Sequence, residues 1–454
     1  MEILNYNKFY FMGIGGVSMS GFALLFKEMG YNVSGFDMAR SDNTDFLEKN
    51  GIKVFFEPSI EHITNDVDCI VYSSAISDDF LELAYGKSQG IHCINRGEMI
   101  GEVLKKYEKP LCISGTHGKT TTTALVATML LCANENPTIS VGGHLPIIDG
   151  VFKIGNNKFF VLESCEYKNN FLNFGASTAL IMNIEMDHSD FFKDLDEIYT
   201  TFNNFAKNAS EKVIINMDIK NYLEVLQDVK TDIVTYSLYN EDAKYYVKNI
   251  EYSSAGTNFD LFKDGEKLES FNSKLLGEHN LYNSLSALVT VLENDIDVKY
   301  CKKGLLEFTG INRRFQYKGI KDGIVVYDDY AHHPTACKKT LETFLNLKKK
   351  DIYCIFQPHT YSRTISLLDE FASSFKDVSK VLLLDIYAAR EQDLGVVSSK
   401  LLAEKINEYS NNAIYFKDKL ECINFLKETA QKDDIIITLG AGDVYRLGEE
   451  FLKE

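Results

Sequence analysis

The sequence has no pair of cysteines at Cys-x-x-Cys spacing, although nine cysteines are scattered along its 454 residues. Without that pair a structural zinc site is not expected. The thiols sit in apolar runs such as Asp68-Cys69-Ile70-Val71 and read as free cysteines of a reducing compartment. No apolar run reaches the roughly 18 residues of a membrane span. The start, Met1-Glu2-Ile3-Leu4-Asn5, does not read as a leader, so a cytoplasmic location is expected. Positive charge is in deficit: 48 Lys and Arg against 65 Asp and Glu leave −17. A basic face for nucleic acid is therefore not indicated, though a local basic pocket for phosphate remains open. No solenoid repeat or low-complexity tract occurs.

What is present is an alternation of short apolar runs and helical patterns. Phe9 to Met12 reads as a strand running into Gly13-Ile14-Gly15-Gly16, with a helix over 17–30. Further strands are expected at 31–37, 68–73 and 91–94. Such alternation predicts an α/β fold with parallel sheets wrapped by helices. At roughly 100–200 residues per domain the length allows two to four domains. The polar stretch Lys105 to Pro110 interrupts the first alternation, and Leu111 to Ser114 begins a second. A third follows Arg313-Arg314-Phe315, with strands at 323–328, 352–356, 380–384 and 434–439. Expected domains are 1–106, 107–311 and 312–454. Residues 231–275 carry short strands and an Asp264-Gly265 turn, and read as a small antiparallel insertion.

The strongest local motif is Gly115-Thr116-His117-Gly118-Lys119-Thr120-Thr121, after a strand and opening a helix. Backbone N–H groups of such a turn point at phosphate oxygens. Lys119 would reach the outer phosphates and the Thr120 hydroxyl could ligate Mg²⁺. Only two residues separate the glycines instead of four, so the loop is a shortened variant. The turn of Gly13, Gly15, Gly16 and Gly21, with Asp37 about 20 residues on, has the look of a dinucleotide fingerprint. Taken alone it fits a plain strand–helix turn or a nicotinamide site equally well.

Glu163 closes the run Phe159 to Leu162, and Asp187-His188 follows another apolar run. Acidic and imidazole groups at strand ends beside a phosphate loop are placed to hold a nucleotide's metal. A lone histidine such as His188 is more commonly an ordinary hydrogen-bonded residue. Gly277-Glu278-His279-Asn280 opens a helix, where Asn could simply cap. Arg313-Arg314 offers forks for phosphate or carboxylate, or a solvated pair at a linker. Asp328 to Pro334, with Asp329, His332 and His333, and Gln357 to Arg363 are dense polar clusters after strands.

Together, in order and over essentially the whole chain, these segments resemble the Mur ligase family. The double-histidine and Gln357-Pro358-His359 segments look like its alanine-adding branch. The resemblance implies a Rossmann-like N-terminal domain for a UDP-sugar, a central P-loop ATPase-like mononucleotide-binding domain for ATP and Mg²⁺, and a Rossmann-like C-terminal lid. It decides the Gly13 turn against a nicotinamide cofactor. It implies that the lactyl carboxylate of UDP-N-acetylmuramate attacks the γ-phosphate, and that L-alanine then displaces phosphate from the acyl phosphate.

The same resemblance implies site roles. Gly13, Gly15, Gly16, Asp37, Ser73 and Ser74 would contact the UDP-sugar. Gly115, Thr116, His117, Gly118, Lys119, Thr120 and Thr121 would cradle phosphate, with Thr120, Glu163 and His188 at Mg²⁺. His279 and Asn280 would face adenine, Arg314 phosphate and Asp329 the ribose. Lys119, His188, His333 and Arg363 would surround the reacting groups, the last two near the amino acid. Thr360 stands where many members have Arg, and Glu57-Pro58-Ser59 replaces a usual Gly-His. Some relatives use a carbamylated lysine about 15 residues after His188; residues 199–206 contain none. No nucleic-acid or membrane partner is expected, and the enzyme would be a monomer or homodimer. A ligase taking a ready-made peptide, a nicotinamide oxidoreductase and a non-catalytic nucleotide binder are the rival readings.

Overall fold

A computed structural model describes residues 3–73, 75–188, 191–253, 256–345, 350–389 and 391–453. Three sheets follow one another along the chain. The first comprises β1 (Lys8–Met12), β2 (Asn32–Phe36), β3 (Lys53–Phe55), β4 (Cys69–Tyr72) and β5 (His92–Asn95), in the order β3-β2-β1-β4-β5. All its pairings are parallel. The chain order reverses beside β1, and the Gly13 turn leaves the C-terminal end of that strand, where such sheets bind ligands.

The second sheet is built from β6 (Lys109–Ser114), β7 (Thr138–Leu145), β8 (Gly150–Lys153), β9 (Phe159–Glu163), β10 (Thr178–Ile181), β11 (Lys212–Asn216), β12 (Asp232–Ser237), β13 (Tyr245–Ser253), β14 (Gly256–Lys263) and β15 (Glu266–Ser273). Its order is β15-β14-β13-β12-β11-β10-β6-β9-β7-β8. The strands of residues 231–275 are thus continuous with this sheet. β12 pairs parallel with β11 and with β13, and β13, β14 and β15 run antiparallel to one another, extending the sheet at one edge, as the antiparallel pair β7–β8 does at the other.

The third sheet has β16 (Gln316–Lys321), β17 (Ile324–Asp329), β18 (Ile352–Phe356), β19 (Lys380–Leu383), β20 (Ala413–Tyr415) and β21 (Ile435–Leu439), ordered β16-β17-β21-β18-β19-β20. β16 is antiparallel and the rest are parallel.

The apolar cores show which parts are packed together. One cluster runs from the first sheet into the second, joining Phe9, Phe22 and Phe26 to Phe160, Phe171 and Phe202. Phe22 lies 5.3 Å from Phe152 and 5.9 Å from Phe160, ring to ring. The other face of the second sheet has its own core. Both core clusters of the third sheet lie within that unit. The first two units are thus welded by shared apolar burial, and the third meets them through polar side chains.

The weld depends on close approach at Gly101, inside the helix Arg96–Leu104. A Cβ there would lie 2.2 Å from the backbone oxygen of Asn173 in the second unit. Backbone cannot yield as a flexible side chain can. In a helix interior Gly→Ala is ordinarily favourable by up to about 1 kcal/mol, whereas overpacking costs about 1–3 kcal/mol. Gly101→Ala should therefore destabilise the chain, by about 1–2 kcal/mol in urea unfolding. A more stable variant would mean that the units are not pressed together at this helix.

Candidate functional site

The phosphate loop leaves β6 and enters the helix Lys119–Cys132. Gly118 caps that helix with φ +79°, in the left-handed region, and no side chain caps the helix start. A Cβ at Gly118 would lie 2.2 Å from Asn283 Oδ1, so only glycine fits. The uncapped N–H groups and helix dipole favour an anion at this end.

Asn183, just past β10, holds the loop at both edges. The His117 N–H donates to Asn183 Oδ1 at 2.7 Å, and Asn183 Nδ2 donates to the His117 carbonyl at 3.0 Å. The Thr116 N–H donates to the Asn183 carbonyl at 3.1 Å. The Thr120 hydroxyl donates to Glu163 Oε1 at 2.9 Å.

A cavity of about 620 Å³ opens over the loop, walled by the second and third units. It brings together Thr116, His117, Gly118, Lys119, Thr120, Thr121, Glu163, His188, His279, Asn280, Arg314, Asp329 and His333 from the sequence expectation. Gly115 lies beneath, its carbonyl accepting from Lys119 Nζ at 2.5 Å. Arg363 stands just behind the wall, 3.5 Å from Asp187 and 3.2 Å from His359 Nδ1. A second cavity, about 790 Å³, is lined by Gly13, Gly15, Gly16, Asp37 and Ser73. Ser74 lies outside the described residues. Asp37 accepts the Gly15 N–H at 2.8 Å and so braces the turn that it follows. Glu163 and Cys165 line both cavities, so the two clefts meet there.

The sequence left several participants unnoticed. Asn183 carries no local signal in the sequence, because its clasp is tertiary. Glu185 joins the loop to the third unit, 3.3 Å from His117 and 3.6 Å from Lys339. Burial alone would raise its carboxyl, but the bond with His117 and the nearby cations hold it at about 2. Arg313 and Arg314 part company. Arg313 donates to the Gly440 and Gly442 carbonyls and to Asp328, sandwiched between Tyr330 and Tyr445. Arg314 reaches the other way, 3.1 Å from the Thr120 hydroxyl.

The helix after His188, Leu195–Lys207, turns its polar residues elsewhere. Asn203 Nδ2 donates to the Val225 and Gln227 carbonyls, and Lys207 lies 4.0 Å from Asp228. The adjacent histidines face different partners. His332 Nδ1 donates to the Tyr330 carbonyl at 2.8 Å, while His333 Nδ1 accepts the Thr335 N–H at 3.3 Å. Nε2 of His333 is buried with no partner among the described residues.

A phosphate loop with hydroxyl and carboxylate beside it, an adjoining cleft and a third unit walling the loop's cavity fit an ATP-dependent, acid-activating enzyme. Profile comparisons agree with this class. Residues 8–108 match the Mur ligase family catalytic domain, 113–291 the Mur ligase middle domain and 313–442 the Mur ligase glutamate ligase domain. The chain belongs to the Mur ligase family. A UDP-N-acetylmuramate–L-alanine ligase of Acetivibrio thermocellus is 44% identical, covering 100% of this chain and 98% of the relative. One of Clostridium novyi is 43% identical over 99% and 98%. The crystal structure of a UDP-N-acetylmuramate–alanine ligase from Thermotoga maritima superposes with TM-score 0.81 at 24% identity, covering 98% of each chain. That of a murein peptide ligase from Psychrobacter arcticus gives 0.70 at 22% identity, also over 98% of each. These two likenesses concern the fold alone.

The buried site groups make stability depend on pH. Burial lowers His279, His333 and His359 from 6.5 to about 4. Each favours the folded state above 6.5 and loses that contribution as pH falls toward 4. Asp329 acts oppositely: burial raises it from 3.8 to about 6, so its contribution is lost as pH rises through 6. His332 is lowered likewise and Asp328 raised, so histidines outnumber carboxyls and the melting temperature should drop between pH 7 and 4.5. His359→Gln should flatten that slope in thermal scans. A melting temperature constant or rising on acidification would contradict these assignments.

Proposed function

We propose that the chain joins L-alanine to the lactyl carboxylate of UDP-N-acetylmuramate at the expense of ATP, through an acyl phosphate, in peptidoglycan precursor synthesis. The observation that carries this reading is the meeting of two clefts at Glu163 and Cys165, beside the loop. An acid held in the cleft of the Gly13 turn can present its carboxylate to a phosphoryl group held over Lys119. The full-length relatives named above supply the substrate class.

In this reading residues 1–106 hold the UDP-sugar through Gly13, Gly15, Gly16, Asp37, Ser73 and Ser74. Residues 107–311 hold ATP: loop N–H groups and Lys119 take the phosphates, and His279 and Asn280 lie toward adenine. Residues 312–454 close the site, Arg314 on phosphate, Asp329 toward the ribose, and His333 and Arg363 toward the incoming amino acid. Protein groups mainly position reactants and neutralise charge, as phosphoryl transfer requires. His333 keeps a buried Nε2 without a partner among the described residues, suited to a substrate oxygen. Arg363 can exchange Asp187 for the amino-acid carboxylate.

Mg²⁺ fits the residues at the loop: Thr120 and Glu163 supply a hydroxyl and a carboxylate, the hard oxygen donors this ion prefers. The two oxygens already lie 2.9 Å apart. His188, whose ring stacks on Tyr167 with centroids 4.6 Å apart, would serve a second ion. The metal would neutralise charge on the phosphates. Among the described residues no helix is long and apolar enough to cross a membrane. The reading includes action in the cytoplasm as a monomer or homodimer.

Phosphate release should require ATP, Mg²⁺, UDP-N-acetylmuramate and an amino acid together, with L-alanine best. Equal turnover with a tripeptide acceptor would move the chain to the peptide-recycling branch. Lys119→Ala should lower turnover by about 10²–10³, the scale of one transition-state electrostatic contact, with circular dichroism unchanged. Near-normal turnover in that variant would make the loop structural.

A further inference from the structure

The end of β9 and the turn after it bring two carboxylates to the phosphate loop. Glu163 meets Thr120. Glu166, three positions on and 2% exposed, places Oε2 3.0 Å from Lys119 Nζ. The other contacts of that ammonium are the Gly115 carbonyl at 2.5 Å and the Thr116 carbonyl at 3.2 Å. Three donors meet three protein acceptors, so the lysine is drawn back onto its own loop. Lys119 lines the cavity over the loop, whereas Glu166 lines neither cavity. Its carboxylate therefore touches no cavity ligand itself and meets the cavity through the lysine.

We propose that Glu166 is a positioning residue that aims Lys119 and restrains its charge. The proposal rests on the reading of this cavity as the ATP site. A lysine has four flexible side-chain bonds, and its charge alone does not specify where the ammonium sits. The carboxylate behind it fixes that position. The same carboxylate cancels part of the attraction that Lys119 would exert on a bound triphosphate. Such cancellation weakens ground-state binding while keeping the cation aligned for the transferring group, which favours turnover over affinity. A counter-ion serving only to keep the loop folded would make no such trade.

The test uses the full chain and its E166Q and E166A variants. Binding of a non-hydrolysable ATP analogue with Mg²⁺ is measured by calorimetry, and kcat and KM by phosphate release. E166Q keeps the acceptor and shape but loses the charge. E166A loses both. Both variants should bind the analogue at least as tightly as the parent. The kcat should fall by about 10–100-fold in E166A, the scale of a misplaced reacting group, and less in E166Q. Opposite movement of affinity and kcat is a signature that loss of folding does not produce. Turnover within twofold of the parent in both variants would overturn the proposal. So would a joint loss of affinity and kcat in E166Q. If the parent fails to ligate alanine, the functional reading falls, yet analogue affinity still decides Glu166: unchanged or tighter supports it, weaker refutes it.

Discussion

A loop that offers several backbone N–H groups to one anion cannot spend them on its own secondary structure, and something else must hold its shape. Here that task falls to Asn183, which grips His117 at both its N–H and its carbonyl. The residues around it extend the grip. Asn183 follows β10, neighbour of the strand that launches the loop, so the clasp is set by the register of two parallel strands. Glu185, two positions on, accepts from the Thr116 hydroxyl through its carbonyl and donates its own N–H back at 2.9 Å. Its carboxylate then reaches His117 and Lys339, and Asp187 reaches Arg363. A displaced Asn183 would loosen the loop and two anchor points of the third unit together.

Charge is distributed to suit this arrangement. The chain as a whole is strongly acidic, which alone would repel a nucleotide and a UDP-sugar. Inside the site the cations do not stand free. Lys119 is matched by Glu166, Arg363 by Asp187, and Lys339 by Glu185. Each pair is worth modest stability, since desolvation offsets much of the attraction. Its value is in placement: a cation already ordered and partly dehydrated loses less freedom when a substrate oxygen replaces or joins the carboxylate.

Much of the α/β alternation is legible in the sequence because parallel strands covered on both faces appear as short apolar runs, as at Ile435–Leu439. β3 and β20 escape notice because each has three residues and lies at a sheet edge. The turn at Asp264-Gly265 is readable locally, but that β12 joins β11 depends on a register no local pattern carries. The site divides the same way. The phosphate loop is a contiguous chemical pattern and stands out. Glu166 does not, because its partner Lys119 is distant in sequence and Glu163 offers a more familiar explanation for the same segment. Arg313 and Arg314 are chemically identical neighbours, and composition cannot say which faces the phosphate loop.

Backbone geometry separates them. Ile311 is buried in the core of the second unit, and the Asn312 N–H donates to the His144 carbonyl. Asn312 also accepts from Gln316 Nε2, and the Arg314 N–H donates to the Ile311 carbonyl, so the turn at 311–314 is shared by the second and third units. Arg313 and Phe315 both have positive φ, +64° and +47°, a conformation costly for such side chains. The contacts that hold it belong to the third unit: the Arg313 guanidinium sits on the 440–442 carbonyls, and the Phe315 N–H donates to Asp329. Between these anchors the chain can send only the intervening side chain back across the gap, and that is Arg314, over Tyr330 and onto Thr120. The linker therefore sends one arginine toward the phosphate loop. Arg314 thus ties the third unit to the phosphate loop through the Thr120 hydroxyl.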